Sequence, residues 1–312
     1  MTLQQLRALC ELAERGLNFS RTATALNTTQ PAISRMIRSL EHELGSDLLV
    51  RRGKTMLRLT TEGEEVLLRA RQVLLEITNI AQIGVEKKDA ERGELTIATT
   101  HTQASYGLVA AISAFRAAHP GVTLHMRHGA PAEIAQWVSM GQVDLGINAR
   151  PQRVPANVVA LEAYPIERCI IAPPGHPILR LRKPAVKDIA RYPIIDYEQG
   201  ARTGEMLRNL FVNAGVEPDI AVTATDATAV MAYVEAGVGI AILQKQIMDQ
   251  LKHRRIGAVD ASHLVPASTT VMLLRKKAYL RNFVYRFIEI VAPQWRREDV
   301  ERRLNRMNAA GI

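Results

Sequence analysis

A chain of 312 residues, 47% of them hydrophobic, is long enough for two or three domains with substantial cores and too apolar to remain disordered. No apolar run reaches the roughly 18–20 residues of a membrane span. The opening MTLQQLRALCELAERG lacks the basic start and apolar centre of a signal peptide, so the expected location is the cytoplasm, with the nucleoid. The formal net charge of +9 is concentrated at the ends. Residues 1–60 hold nine Lys/Arg against five Asp/Glu, and residues 275–312 hold ten against four. Basic ends around a near-neutral middle point to a polyanion met at the ends, or to a solvated basic surface. Cys10 and Cys169 form neither a disulfide framework nor a zinc cluster and read as buried thiols, so no metal site is expected.

From Leu3 to Leu17 the apolar residues Leu6, Leu9, Cys10, Ala13 and Leu17 recur at helical spacing. Ser20 is the expected N-cap of a short helix, Arg21 to Leu26. After Asn27-Thr28-Thr29, a third helix is predicted from Gln30 to Leu44, with Pro31 in its first turn and Ile33, Ile37, Leu40 and Leu44 buried. Gly45 ends it. Leu48 to Val50, the basic turn Arg51-Arg52-Gly53-Lys54 and Met56 to Leu59 read as a hairpin. Thr60 or Thr61 caps a long helix to about Glu91, of a length typical of a connector or dimerisation helix.

Past Gly93 the pattern changes. Strands are expected at Leu95–Thr99, Val122–Arg127 and Val143–Asn148, alternating with helices Gln103–Ala118 and Pro131–Met140. This rhythm implies βαβ units and a mostly parallel sheet. A second run starts near Cys169 and includes Ile194-Ile195, a helix after Thr203, Ile220–Thr223, Ala227–Ala236 and Gly239–Leu243. Val271–Leu274 and the helix Asn282–Val291 return to the first sheet. The expected organisation is a winged helix-turn-helix over 1–60, a linker helix over 61–92, and a two-lobed α/β domain over 93–300. Lobe I takes about 93–163 plus 267–300, lobe II about 164–266, and a basic tail 301–312.

Three short helices followed by a basic hairpin suit DNA. A helix entering the major groove needs hydrogen-bonding residues near its N-terminus, here Thr29, Gln30, Ser34, Arg35 and Arg38. Arg51, Arg52 and Lys54 of the hairpin can meet flanking phosphates or the minor groove. The bland alternative is that each is the solvent face of an amphipathic helix; their ordered combination speaks against it. FSRTATALNTTQPAISRMIRSLEHELGSDLLVR, Phe19 to Arg51, resembles the DNA-binding domain of the LysR-type transcriptional regulators. That resemblance adds Ser20 and Pro31 to the DNA-binding set. It covers residues 1 to about 295 and implies the linker helix and a two-lobed, periplasmic-binding-protein-like effector domain. Within the family, GELTIATTHTQASYGL, HGAPAEI and TATDAT are similar to the CysB subgroup, whose pocket takes sulfate-like anions or acetylated serines.

Thr100-His101-Thr102-Gln103 fits a capping box, Thr100 as N-cap and Gln103 as its reciprocal partner. A helix start also offers free N–H groups to an anion. With the resemblance, Thr100, Thr102 and Gln103 are expected to contact ligand, together with Ala149, Arg150, Arg202, Thr203, Thr225 and Asp226. Two positions depart from the subgroup's pattern. DLGINAR carries Ala149-Arg150 where a Thr or Ser is usual, and GARTGE places Arg202 at the position of a threonine, with Thr203-Gly204 following. Two gained guanidiniums would suit a larger or more highly charged anion.

The resulting expectation is a DNA-binding regulator of sulfur or cysteine metabolism, without a cofactor. It would sense sulfate, O-acetylserine or N-acetylserine between its lobes and assemble as a dimer of dimers on promoter DNA, with RNA polymerase a further partner and no membrane. The alternative is a relative sensing an organic acid of another pathway. A solute-binding protein would share the lobes but not the DNA-binding motif. An enzyme is disfavoured, because no P-loop, zinc-protease helix motif or nucleophile elbow occurs, and His119 and His176 each precede a proline in a turn.

Overall fold

The computed structural model describes residues 1–52, 56–88, 91–197, 202–251, 254–264 and 268–305. Within these ranges the side chains of Arg51, Arg52, Arg202 and Thr203 are among those left undescribed, and Lys54 lies outside them. The chain divides into two compact units, Met1–Asp89 and Ala90–Ile312.

The first unit contains α1 (Leu3–Glu14), α2 (Phe19–Ala25), α3 (Gln30–Leu44), β1 (Leu49–Arg52), β2 (Met56–Leu59) and α4 (Thr61–Lys88). Leu6, Leu9 and Leu12 of α1 bury against Ile33, Ile37 and Leu40 of α3 and Leu67 and Ala70 of α4. α2 is capped by Asn18, whose Oδ1 accepts the Arg21 N–H at 3.0 Å. Ser20 is therefore not the cap; it sits exposed in the first turn. Both asparagine and serine satisfy a helix start, and the geometry selects the earlier one. Gly45 ends α3 in the left-handed region, φ 64°, which a residue with a Cβ reaches only at a cost. Buried Glu41 accepts the Leu48 and Leu49 N–H groups at 3.0 and 3.3 Å, tying the end of α3 to the hairpin. β1 and β2 pair antiparallel. Thr60 Oγ1 accepts the Gly63 N–H at 2.8 Å and so caps α4. On α4, Leu68, Val73, Ile80 and Ile83 stay exposed.

The second unit runs β3 (Gly93–Thr99), α5 (Val109–Ala118), β4 (Val122–His128), α6 (Pro131–Ser139), β5 (Leu145–Ala149), β6 (Val158–Ile166), β7 (Arg168–Ala172), α7 (Val186–Ile189) and β8 (Ile194–Tyr197). It continues through α8 (Arg202–Asn213), β9 (Ile220–Ala224), α9 (Ala227–Glu235), β10 (Ala241–Gln244), α10 (Met248–Leu251), β11 (Gly257–Asp260), β12 (Ser268–Arg275), α11 (Asn282–Val291) and α12 (Arg297–Asn305). Lobe I is built on a five-stranded sheet in the order β4-β3-β5-β12-β6. β3 runs parallel to β4 and β5, whereas β12 is antiparallel to both its neighbours. One face packs on Phe115, Phe283 and Phe287 from α5 and α11, the other on Ile134 and Val138 from α6. Lobe II joins the antiparallel set β10-β7-β11 to the parallel pair β8-β9 through a bridge between Ile194 and Ile240.

The sheets are thus mixed rather than mostly parallel. β12 comes back from the other lobe and enters its sheet in reverse. Two boundaries also shift. β6 continues to Ile166, paired with Ser268, so the expected lobe border at 163/164 falls inside a strand. α12 crosses the expected domain end at 300, and its Val300 and Leu304 are buried in the lobe I core. The first residues of the expected basic tail are therefore helix; 306–312 lie outside the described residues. Cys10 and Cys169 are both free and buried, and burial pushes their thiols up, to about 11 and about 12.

Candidate functional site

Two surfaces collect the residues singled out by sequence. The first is one face of α3. Burying Ile33, Ile37 and Leu40 turns Pro31, Ser34, Arg35 and Arg38 away from the core at helical spacing, and Gln30 stands at the start of the helix. Thr29, Gln30, Pro31, Arg35 and Arg38 are exposed and Ser34 is half-buried. Ser20 Oγ donates to Gln30 Oε1 at 3.3 Å, so α2 steadies the first side chain of that face. Thr29 occupies the N-cap position without a side-chain cap bond. Its hydroxyl is therefore not committed to the helix start. The hairpin backbone is in place beside this helix through the Glu41 anchor; the side chains of Arg51 and Arg52, and Lys54, lie outside the described residues.

The second group lies at strand ends of the two-lobed unit. In open α/β sheets, ligands bind beyond the carboxyl ends of the parallel strands. Thr100 follows β3, Ala149 ends β5, α8 begins at Arg202 after β8, and Thr225-Asp226 follow β9. The strand order brings these ends to the lobe edges. Thr100 and Thr102 are half-buried. Among the described residues neither hydroxyl has a hydrogen-bond partner, whereas the neighbouring Thr99 Oγ1 is committed to the Ile147 carbonyl at 2.6 Å.

The other expected contacts fare differently. Gln103 does not complete a capping box. Its side chain turns inward, 2% exposed. Nε2 donates to Thr270 Oγ1 at 3.2 Å and Oε1 accepts from Tyr164 OH at 2.8 Å. Burial pushes the Tyr164 phenol up to about 12. The segment is also not one α-helix from Gln103: Gln103–Gly107 form a π-helical turn before α5, a form that recurs at functional sites. Asp226 caps α9, accepting the Thr228 and Ala229 N–H groups at 2.7 and 3.0 Å. A carboxylate there already answers the helix start and would repel an anion. Arg150 Nη2 pairs with Glu162 Oε1 at 2.8 Å on an exposed surface. Ala149 is half-buried and Thr225 exposed, while the Arg202 and Thr203 side chains are outside the described residues.

Sequence reasoning missed Tyr106, Tyr164, Thr228 and Thr270. Tyr106 OH lies 3.0 Å from Thr228 Oγ1, a hydrogen bond between the lobes. The available signal was Gly107: a Cβ there would collide with Gln103 Oε1, and a glycine after a helical Tyr marks such a close approach.

Residues 3–64 match the model of the bacterial regulatory helix-turn-helix protein, lysR family, and residues 88–296 that of the LysR substrate binding domain. The chain is 37% identical to the HTH-type transcriptional regulator SsuR of Burkholderia cenocepacia, over 94% of this chain and 95% of that protein. It is 32% identical to the HTH-type transcriptional regulator CysB of the same organism, over 97% of each. The solved cofactor-binding domain of the Cbl transcriptional regulator superposes with a TM-score of 0.62 at 33% identity, covering 68% of this chain and 93% of that domain. Among the described residues no helix is long and apolar enough to cross a membrane.

Proposed function

The chain belongs to the LysR family of bacterial transcriptional regulators, and on that premise we propose that it controls genes of sulfur metabolism in response to a small oxyanion held between its lobes. It is a DNA-binding regulator, and its relatives are regulators rather than enzymes. The observation that carries the finer reading is the pair Thr100 and Thr102, half-buried and without a hydroxyl partner among the described residues, beyond the carboxyl end of β3 in a chain whose relatives include SsuR, CysB and Cbl.

The ligand set is accordingly narrower than the sequence suggested. Thr100 and Thr102 supply the hydroxyls from lobe I, and Arg202 and Thr203, in the first turn of α8, are kept as the proposed contacts from lobe II. Sulfate or an acetylated serine suits neutral hydroxyl donors beside a helix start. Gln103 and Asp226 serve the frame, and Arg150 is occupied by Glu162. The exposed face of α3 enters the major groove, with Arg35 and Gln30 reading bases and Arg38 and the hairpin arginines meeting phosphate. The stripe of Val73, Ile80 and Ile83 on α4 joins two copies, and two dimers assemble on one promoter. Ligand acts by binding one lobe arrangement better than another.

The test is a thermal-shift panel on the full chain with sulfate, thiosulfate, O-acetylserine, N-acetylserine and several carboxylic acids. A sulfur oxyanion or acetylserine should raise the melting temperature. A response to carboxylic acids alone would refute the sulfur reading.

A further inference from the structure

We infer that Tyr106 and Thr228 form a latch between the lobes, and that the π-helical turn carrying Tyr106 couples this latch to the strands on which the lobes move. In its ligand-related part the inference rests on the function proposed above. The latch itself stands on geometry.

Tyr106 belongs to lobe I by sequence, yet it packs against the lobe II core cluster to which Ala227 and Val230 of α9 belong. Its hydroxyl meets Thr228 Oγ1 at 3.0 Å. Thr228 is itself held in place, because its N–H donates to Asp226 at 2.7 Å in the first turn of α9. The backbone is thus held at the Thr228 end, while the hydroxyl pair itself is exposed. The turn also touches the crossing strands. Three residues before Tyr106, Gln103 binds Thr270 on β12 and Tyr164 on β6. These are the two lobe I strands through which the chain leaves for lobe II and returns. One five-residue turn, Gln103–Gly107, thus contacts the opposite lobe with its fourth residue and both crossing strands with its first. Thr102, a proposed ligand contact, is the residue immediately before it.

A lobe rotation must either part Tyr106 from Thr228 or drag the turn against the buried amide contacts of Gln103. Buried polar groups resist being left unpaired, so the turn moves as a body with the crossing strands. Ligand seated on Thr100 and Thr102 lies on that same body and adds to its hold. Tyr106 is then a positioning residue. It sets the population of closed lobes without donating to the ligand.

Amide hydrogen exchange on the full chain, without and with inorganic sulfate, tests this. Tyr106→Phe keeps the ring and Thr228→Val keeps the side-chain shape, so each removes little besides the hydrogen bond. Each single substitution should speed exchange in both segment 100–108 and segment 224–231 by about fivefold, the effect of one neutral hydrogen bond on an opening equilibrium. The double variant should be no faster than either single. Faster exchange confined to the substituted residue's own segment, or multiplicative effects in the double variant, would overturn the latch. The sulfate arm reports separately. Protection of 100–103 by sulfate that weakens about fivefold in Tyr106→Phe supports coupling. Protection unchanged by Tyr106→Phe overturns the coupling. Wild type that gains no protection from sulfate contradicts sulfate as the ligand, while the sulfate-free comparison still decides the latch.

Discussion

Tyr164 OH donates to Gln103 Oε1 at 2.8 Å while Gln103 Nε2 donates to Thr270 Oγ1 at 3.2 Å, so one buried amide spans three elements of lobe I. Removing it takes one partner each from the half-buried Tyr164 phenol and the buried Thr270 hydroxyl. Gln103→Ala should therefore destabilise the second unit by about 1–3 kcal/mol. Chemical denaturation followed by Trp fluorescence reads this directly. Tyr164→Phe should cost less, because it leaves only the amide oxygen unanswered. Equal stability of Gln103→Ala and wild type would show that this network contributes nothing.

Arg150 offers the opposite case. Its ion pair with Glu162 joins side chains 48% and 65% exposed, and such pairs contribute at most about 1 kcal/mol. Arg150→Ala should melt within a few degrees of wild type and bind the same oxyanion with the same affinity, measured by titration calorimetry. An affinity loss of tenfold or more would return Arg150 to the ligand set.

Glu41 anchors the hairpin through two buried N–H groups. Glu41→Ala should lower the stability of the first unit by about 1–3 kcal/mol. Operator affinity should fall mainly as temperature rises. A temperature series of binding isotherms separates this from a direct DNA contact, whose loss would be felt equally at every temperature.

Arg35 is exposed on the α3 face and has no role in the core. Arg35→Ala should cost about 1–3 kcal/mol on an operator selected from a random pool and relax preference at one base position. Arg38→Ala should weaken all sequences alike and reduce the salt dependence by about one counterion. Fluorescence anisotropy across a salt series distinguishes the two.

The α3 face was legible because the burial of Ile33, Ile37 and Leu40 and the stop at Gly45 are local facts, although Leu44, expected in the same stripe, is exposed in the last turn. So was the long α4, whose cap is Thr60 three residues from the N–H it serves. The role of Gln103 was not legible. Its partners stand 61 and 167 residues away, and a Thr-x-x-Gln spacing reads as a capping box whenever tertiary partners are unknown. β6, β11 and α12 escaped for related reasons. β6 carries Glu162 and Pro165 and gains its pairing from β12 at the far end of the domain. β11 is short and shaped by β7. α12 shows two apolar anchors, Val300 and Leu304, in a charged segment.

The claim at the centre of this account is that Thr100 and Thr102 hold the effector. It is tested most directly by calorimetric titration of wild type and Thr102→Ala with the oxyanion that gives the largest thermal shift. Wild type should give a saturable heat and Thr102→Ala at least tenfold weaker binding, both proteins melting alike without ligand. Equal affinity in the two proteins would contradict it.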